Sequence, residues 1–190
     1  MRITGGEWRS RRLRGPSKSM PLRPTPDAMR ERVFAVLRDH VQDARFLDLY
    51  AGTASVGLEA LSRGARTAVF VERHRAAARL ARENCSSLGL DQTRARVLVC
   101  PALSALRDLV RQGEVFDLVW ADPPFENWQE GLEALTTAFS CDLLASGAIA
   151  CLECPVETDV AAALPVGLQI KRDLIGGASR VVMVERSGRP

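Results

Sequence analysis

Apolar residues recur along this chain in two alternating rhythms. Short continuous runs occur at 46–50, 67–72, 96–99, 115–121 and 148–153, each bounded by glycine, polar or charged residues. Between them lie longer stretches at 56–62, 74–88, 102–111, 127–139 and 158–164, where apolar residues return every three or four positions. The first rhythm predicts buried strands and the second amphipathic helices. Two more strand-like segments, 168–174 and 180–185, flank Gly176-Gly177 and predict a closing hairpin. Strict strand–helix alternation predicts a doubly wound parallel sheet, with one antiparallel strand contributed by the hairpin. Upstream, Thr25-Pro26-Asp27 reads as a helix start: a capping hydroxyl, a proline in the first turn, then an acid. Met29, Val33, Val36, Leu37 and Val41 continue it at helical spacing.

The first 24 residues follow neither rhythm. Residues 1–14 mix β-formers and arginines around Gly5-Gly6, which predicts a β-hairpin, and 15–24 form a Pro/Ser-rich linker. The expected division is an appendage over 1–24 and a folded domain over 25–190. Charge sharpens this division. Arg2, Arg9, Arg11, Arg12, Arg14, Lys18 and Arg23 face a single acid, Glu7, in this segment, whereas the whole chain carries only +3. A basic arm on a mildly acidic body points to a polyanionic partner. Arginine in particular suits phosphate and base recognition. Arg9, Arg11, Arg12, Arg14 and Arg23 are the candidate nucleic-acid contacts.

The 190 residues suffice for one well-buried domain, and 46% hydrophobic with 26% charged content is ordinary for a globular protein. No apolar run reaches the roughly 18 residues of a membrane span, and Met1 to Gly6 lacks an apolar signal core. The expectation is a cytosolic monomer. Cys85, Cys100, Cys141, Cys151 and Cys154 are scattered and odd in number, which predicts reduced thiols. Cys151 and Cys154 form a C-x-x-C pair, but neither a second pair nor a histidine cluster completes a metal site. No metal is expected, and His40 and His74 have no evident catalytic partners.

The first strand runs into Asp48-Leu49-Tyr50-Ala51-Gly52-Thr53-Ala54-Ser55-Val56-Gly57. Gly52 allows a tight turn and Gly57 a close helix–sheet contact. Glu72 ends the next strand, about 20 residues on, where a carboxylate can bind ribose hydroxyls. This pattern suits either NAD or S-adenosylmethionine (SAM). Asp48 favours SAM, because a carboxylate there repels a pyrophosphate but attracts an ammonium group, and no Lys or Arg follows the glycines. A second motif, Asp122-Pro123-Pro124-Phe125, directly follows the run 115–121. Two prolines stop a helix and fix their φ angles. The result is a rigid turn with a carboxylate, carbonyl oxygens and an aromatic ring, suited to holding an exocyclic amine while the ring stacks on its base.

These residues resemble the RsmD family, the bacterial small-subunit rRNA guanine-N2 methyltransferases. The resemblance rests on Arg2-Ile3-x-Gly5-Gly6-x-Trp8-Arg9, Arg23-Pro24-Thr25, Arg30-Glu31-x-x-Phe34, Asp48-x-x-Ala51-Gly52, the block from Gly57 to Gly64, Glu72, Asn84 and Asp122 to Phe125. It implies a seven-stranded class I SAM-dependent methyltransferase sheet, Rossmann-like, with an N-terminal β-hairpin that binds RNA. It implies methyl transfer from SAM to N2 of a guanine in 16S rRNA, presented as naked rRNA or in a small-subunit assembly intermediate. The implied catalytic residues are Asp122, Pro123, Pro124 and Phe125. The implied cofactor-binding set is Asp48, Tyr50, Gly52, Thr53, Gly57, Glu72, Arg73, Ala102 and Asp122. The chain departs from the family pattern at Ser10 and Ala54, which stand where glycine is usual. It departs again at Cys100-Pro101, which stand where a polar residue usually lies beside the adenine. Two rivals stay open: an amino-methyltransferase acting on DNA or protein, and a non-catalytic RNA-binding assembly factor.

Overall fold

The protein is described by a computed structural model covering residues 1–17, 20 and 24–188. Its centre is a seven-stranded sheet of β1 (Arg45–Asp48), β2 (Thr67–Val71), β3 (Ala95–Leu98), β4 (Phe116–Ala121), β5 (Leu144–Pro155), β6 (Leu168–Gly176) and β7 (Ser179–Arg186). The strand order is β3-β2-β1-β4-β5-β7-β6, and only β7 runs antiparallel to its neighbours. The seven predicted strands are therefore all present and wound as expected. β5 is longer than its apolar run implied, because Leu144 already pairs with Phe116 across a bulge in the β4 register.

Helices cover both faces of this sheet. They are α1 (Asp27–Val36), α2 (Arg38–Val41), α3 (Ser55–Ser62), α4 (Arg75–Ser87), α5 (Ala102–Arg111), α6 (Trp128–Ser140) and α7 (Val160–Ala163). Successive strand residues point to opposite faces, so each central strand feeds two cores. Phe46, Phe70, Leu118 and Trp120 pack with residues of α1, α3 and α4, whereas Leu47, Val69, Val119 and Ala121 pack with α5 and α6. The C-x-x-C pair is split the same way: Cys151 belongs to the first core and Cys154 to the second, so the two thiols lie on opposite faces. Among the described residues, no helix is long and apolar enough to cross a membrane.

Two local expectations are corrected. The N-terminal segment folds back on itself, but among the described residues Arg2 and Arg12 form its only antiparallel bridge and no pair of strands develops. The cause lies in Gly5-Gly6. Gly6 has φ +80, and a Cβ there would sit 1.8 Å from the Ser62 carbonyl oxygen, so the segment is pressed against the end of α3. Glu7 N–H donates to Ser62 O at 2.7 Å, Trp8 N–H to Ser62 Oγ at 2.9 Å, and Ser62 Oγ–H to Gly5 O at 2.6 Å. These bonds tie residues 5–8 to α3 instead of to each other, while nearer the ends Ile3 N–H still donates to Arg11 O at 3.0 Å and Leu13 N–H to Met1 O at 3.1 Å. The second correction concerns α1. Its N-cap is Pro26 with no side-chain cap, and the Thr25 hydroxyl turns toward two carboxylates.

Candidate active site

The sheet order reverses direction between β1 and β4, so a crevice opens at the carboxyl ends of these two strands. Asp48 closes β1 and Asp122 follows β4, which brings two carboxylates to one crevice. Asp48 is buried, and its Oδ1 has no hydrogen-bond partner. Burial pushes its carboxyl up to about 7, opposed by the backbone N–H groups of Gly57 and Tyr50 and reinforced by the charge of Glu72. An unpartnered buried carboxylate oxygen is unfavourable unless a cationic or donor group covers it. That requirement fits the ammonium of an amino-acid moiety.

The turn after β1 is built as its residue types suggest. Gly52 has φ +51, and a Cβ on Gly57 would meet Phe70 Cε1 at 2.4 Å, so only glycine lets α3 lie this close to β2. Ala54 takes φ +66 and ψ +19 in full burial, adopting the left-handed conformation that suits glycine. Glu72 holds the turn from beside it, accepting from Gly52 N–H at 2.9 Å and from His74 N–H at 2.7 Å. Thr53 is buried with its hydroxyl on Met1 Sδ, and its carbonyl accepts from Asn84 Nδ2 at 2.9 Å. Tyr50 is partly buried, which pushes its phenol up to about 12; Glu130 adds to this and Arg73 opposes it. Arg73 itself is exposed, with Nε donating to His74 Nε2. Ala102 starts α5 behind Pro101, whose carbonyl accepts from Ala105 N–H at 3.0 Å.

The Asp122-Pro123-Pro124-Phe125 turn passes from β4 into a single 3-10 turn, Phe125–Asn127, and then α6. Pro123 is buried against Gly131: a Cβ on that glycine would lie 2.7 Å from Pro123 Cγ and 2.9 Å from Leu152 Cδ1. The turn is thus clamped from below by α6, while Phe125 stays 39% exposed and free to stack. Asp122 is half-buried. Desolvation holds its carboxyl well above the usual carboxylate range, Glu153 and Asp48 push in the same direction, and Thr25 opposes them. Thr25 Oγ lies 3.5 Å from Asp122 Oδ2 and 3.1 Å from Glu153 Oε2.

Beside this crevice the basic arm lies on α3 and α4. Buried Glu59 accepts from Thr4 N–H at 2.8 Å, Thr4 Oγ–H at 2.7 Å and Arg63 Nε at 2.8 Å. Buried Arg30 donates to the Thr25 carbonyl at 2.8 Å and to Asp27 at 2.9 Å, and also to the Arg2 carbonyl, joining the arm to the start of α1. Asn84 accepts from Arg14 N–H at 2.8 Å and donates to Arg14 O at 3.1 Å. Ile3 and Leu13 are buried, whereas Arg9, Arg11, Arg12 and Arg14 are all exposed. Arg11 reaches Ser87 O and Arg14 pairs with Glu83, both on α4; Arg9 and Arg12 have no ion pair among the described residues. Arg23 lies outside the described residues.

The Conserved hypothetical protein 95 family model matches residues 1–185. The chain belongs to this family. The family member "Ribosomal RNA small subunit methyltransferase D" of Escherichia coli K12 is 34% identical over 191 residues, covering 100% of this chain and 91% of that protein. "Putative rRNA methyltransferase YlbH" of Bacillus subtilis 168 is 32% identical over 137 residues, 72% of each chain. Among solved structures, a putative methyltransferase from Escherichia coli superposes with a TM-score of 0.82 at 32% identity, covering 100% of this chain and 99% of the other. A hypothetical protein of Thermus thermophilus follows at TM-score 0.76 and 30% identity, covering 96% and 98%.

In this family member the structure brings Asp48, Gly52, Gly57, Glu72 and the Asp122 turn to one end of the sheet, at or beside the crevice. Thr25 and Glu153 join the site without having been singled out by sequence. Thr25 sits where a helix cap belongs, and Glu153 ends an apolar run, so neither stands apart locally. The signal that finds Glu153 is its position: a carboxylate near the apolar end of β5, beside the strand that leads into Asp122.

Proposed function

We propose that this protein transfers a methyl group from S-adenosylmethionine to the exocyclic N2 of a guanine in 16S rRNA. The observation that carries this reading is the pair of carboxylates at the switch crevice. Asp48 has an unpartnered buried oxygen suited to a cation, and half-exposed Asp122 stands beside exposed Phe125. Full-length similarity to a small-subunit rRNA methyltransferase supports the substrate class.

Asp48 would hold the methionine ammonium, the Gly52–Gly57 turn would give the cofactor backbone-close access, and Glu72 would accept the ribose hydroxyls. Bound SAM supplies a methyl on a sulfonium, a leaving group that needs no acid. The guanine N2 lone pair is delocalised into the ring and is a poor nucleophile. Asp122 and the Pro123 carbonyl accept its two N–H bonds, which draws the nitrogen toward tetrahedral geometry and aims the lone pair. Phe125 stacks on the base once it has left its own stack. Pro124 stiffens the turn. Rate enhancement then comes from positioning and fixed electrostatics.

Residues 1–24 form the RNA-facing part and 25–190 the methyl-transfer part in this reading, with an rRNA substrate implying a cytosolic enzyme. Equilibrium binding of radiolabelled SAM to the pure protein tests the cofactor assignment. Saturable binding that weakens in Asp48→Ala and Glu72→Ala supports it, and no binding favours an RNA-binding assembly factor.

A further inference from the structure

Three carboxylates, Asp48, Asp122 and Glu153, converge from the ends of adjacent strands β1, β4 and β5, and no ion pair reaches any of them among the described residues. Thr25 is the group between two of them. The residue is 3% exposed, and its hydroxyl lies 3.1 Å from Glu153 Oε2 and 3.5 Å from Asp122 Oδ2. A hydroxyl has one proton to give, and from this position it can donate to either carboxylate, so it links the two. The position of that hydroxyl is not incidental. Arg30, 1% exposed, fixes the Thr25 carbonyl at 2.8 Å and is tied in turn to Asp27 and the Arg2 carbonyl.

We propose that Thr25 and Glu153 are positioning residues for Asp122: the hydroxyl fixes the orientation of its carboxylate, and the Glu153 charge sets the pH at which that carboxylate becomes the acceptor the amine needs. This rests on the methyl-transfer reading above. Glu153 is 4% exposed, two residues before the end of β5, with the Thr25 hydroxyl against its Oε2. Burial raises both carboxyls, Glu153 and Asp48 raise Asp122 further, and the Thr25 hydroxyl opposes the rise at both. Each carboxylate ionises against the other's charge, so the two titrate as a pair. Glu72 stands behind Asp48, and Arg30 acts only through the Thr25 carbonyl. The amine donor needs an ionised Asp122, so activity falls on the acid side where Asp122 takes up a proton.

The test is kcat/KM against pH, from pH 5 to 9, for methylation of small-subunit RNA by wild type, Glu153→Gln, Thr25→Val, Thr25→Ser and Asp122→Ala. Removing the Glu153 charge moves the acid limb down by about one pH unit and leaves KM for SAM and RNA unchanged. Thr25→Val lowers kcat about tenfold, and Thr25→Ser restores it. A Glu153→Gln profile superimposed on wild type, or a Thr25→Ser variant as slow as Thr25→Val, overturns the inference. Asp122→Ala separates the two levels. If it turns over normally, the methyl-transfer mechanism fails; if it is inactive while the Thr25 and Glu153 variants behave as wild type, only this inference fails. Thermal melting checks folding, and the Thr25 pair carries the test alone if Glu153→Gln does not fold.

Discussion

Asp48→Asn should stabilise the protein at alkaline pH and weaken SAM binding in the same stroke. Burial raises the Asp48 carboxyl from an ordinary 3.8 to about 7, so the folded state holds a proton that the unfolded state has released between those values. Stability therefore falls as pH rises through that window, and the full cost is present above about pH 7. At about 1.4 kcal/mol per pH unit the cost is at most about 4 kcal/mol. Asparagine keeps the shape and acceptor oxygen but never ionises, so the variant should match wild type near pH 4 and exceed it increasingly toward pH 8. In a domain of this size about 1 kcal/mol moves Tm by roughly 2–4 °C, giving a gap of up to about 8–16 °C. Thermal melts across pH 4–8.5 without ligand read this directly. Calorimetry on the same protein should show SAM affinity reduced by about 10- to 100-fold, the loss of one charge-assisted hydrogen bond of roughly 1.5–3 kcal/mol. A Tm difference independent of pH would refute the buried-carboxylate reasoning.

Replacing Arg9, Arg11, Arg12 and Arg14 by Ala should weaken RNA binding and flatten its salt dependence, by about 0.7–0.9 in log–log slope for each phosphate no longer neutralised, with SAM affinity unchanged. A titration across a salt series checks this, and an unchanged slope removes the arm as an RNA contact. Ser10→Gly, at an exposed residue with φ +70, should stabilise by about 0.5–1 kcal/mol by relieving left-handed strain. Ala54→Gly should be near neutral, because its buried methyl is worth about 0.8 kcal/mol against the same relief; urea unfolding showing equal gains would contradict this difference. Gly131→Ala pushes a methyl into Pro123 and Leu152, and should cost about 1–3 kcal/mol of stability and lower kcat while SAM binding persists. Unchanged kinetics would show that the turn tolerates displacement.

The strands and their parallel winding were legible because parallel strands buried on both faces leave solid apolar runs, and Gly52 and Gly57 act through backbone geometry that residue type alone dictates. What the chain did not disclose depends on contacts distant in sequence. Gly5-Gly6 reads locally as a hairpin turn, yet its glycines are needed for contact with Ser62 and Arg63, more than 50 residues away. Thr25 reads as a cap until the fold brings Glu153 against it, 128 positions along the chain. Arg30 reads as a surface cation on α1 but is buried by the arm, whose carbonyl it binds. Glu72 reads as a ligand-binding acid, and its position also lets it fasten the cofactor turn to the start of α4.

The most direct test is a base-by-base map of methylation in small-subunit rRNA incubated with SAM and either wild type or Asp122→Ala. Both proteins should unfold cooperatively and bind RNA with the same affinity. Wild type should introduce N2-methylguanine at a defined position in 16S rRNA, and Asp122→Ala should introduce none. Equal methylation by the two proteins, or a wild-type product on a base other than guanine, would contradict the assignment of Asp122 as the acceptor that orients a guanine amine.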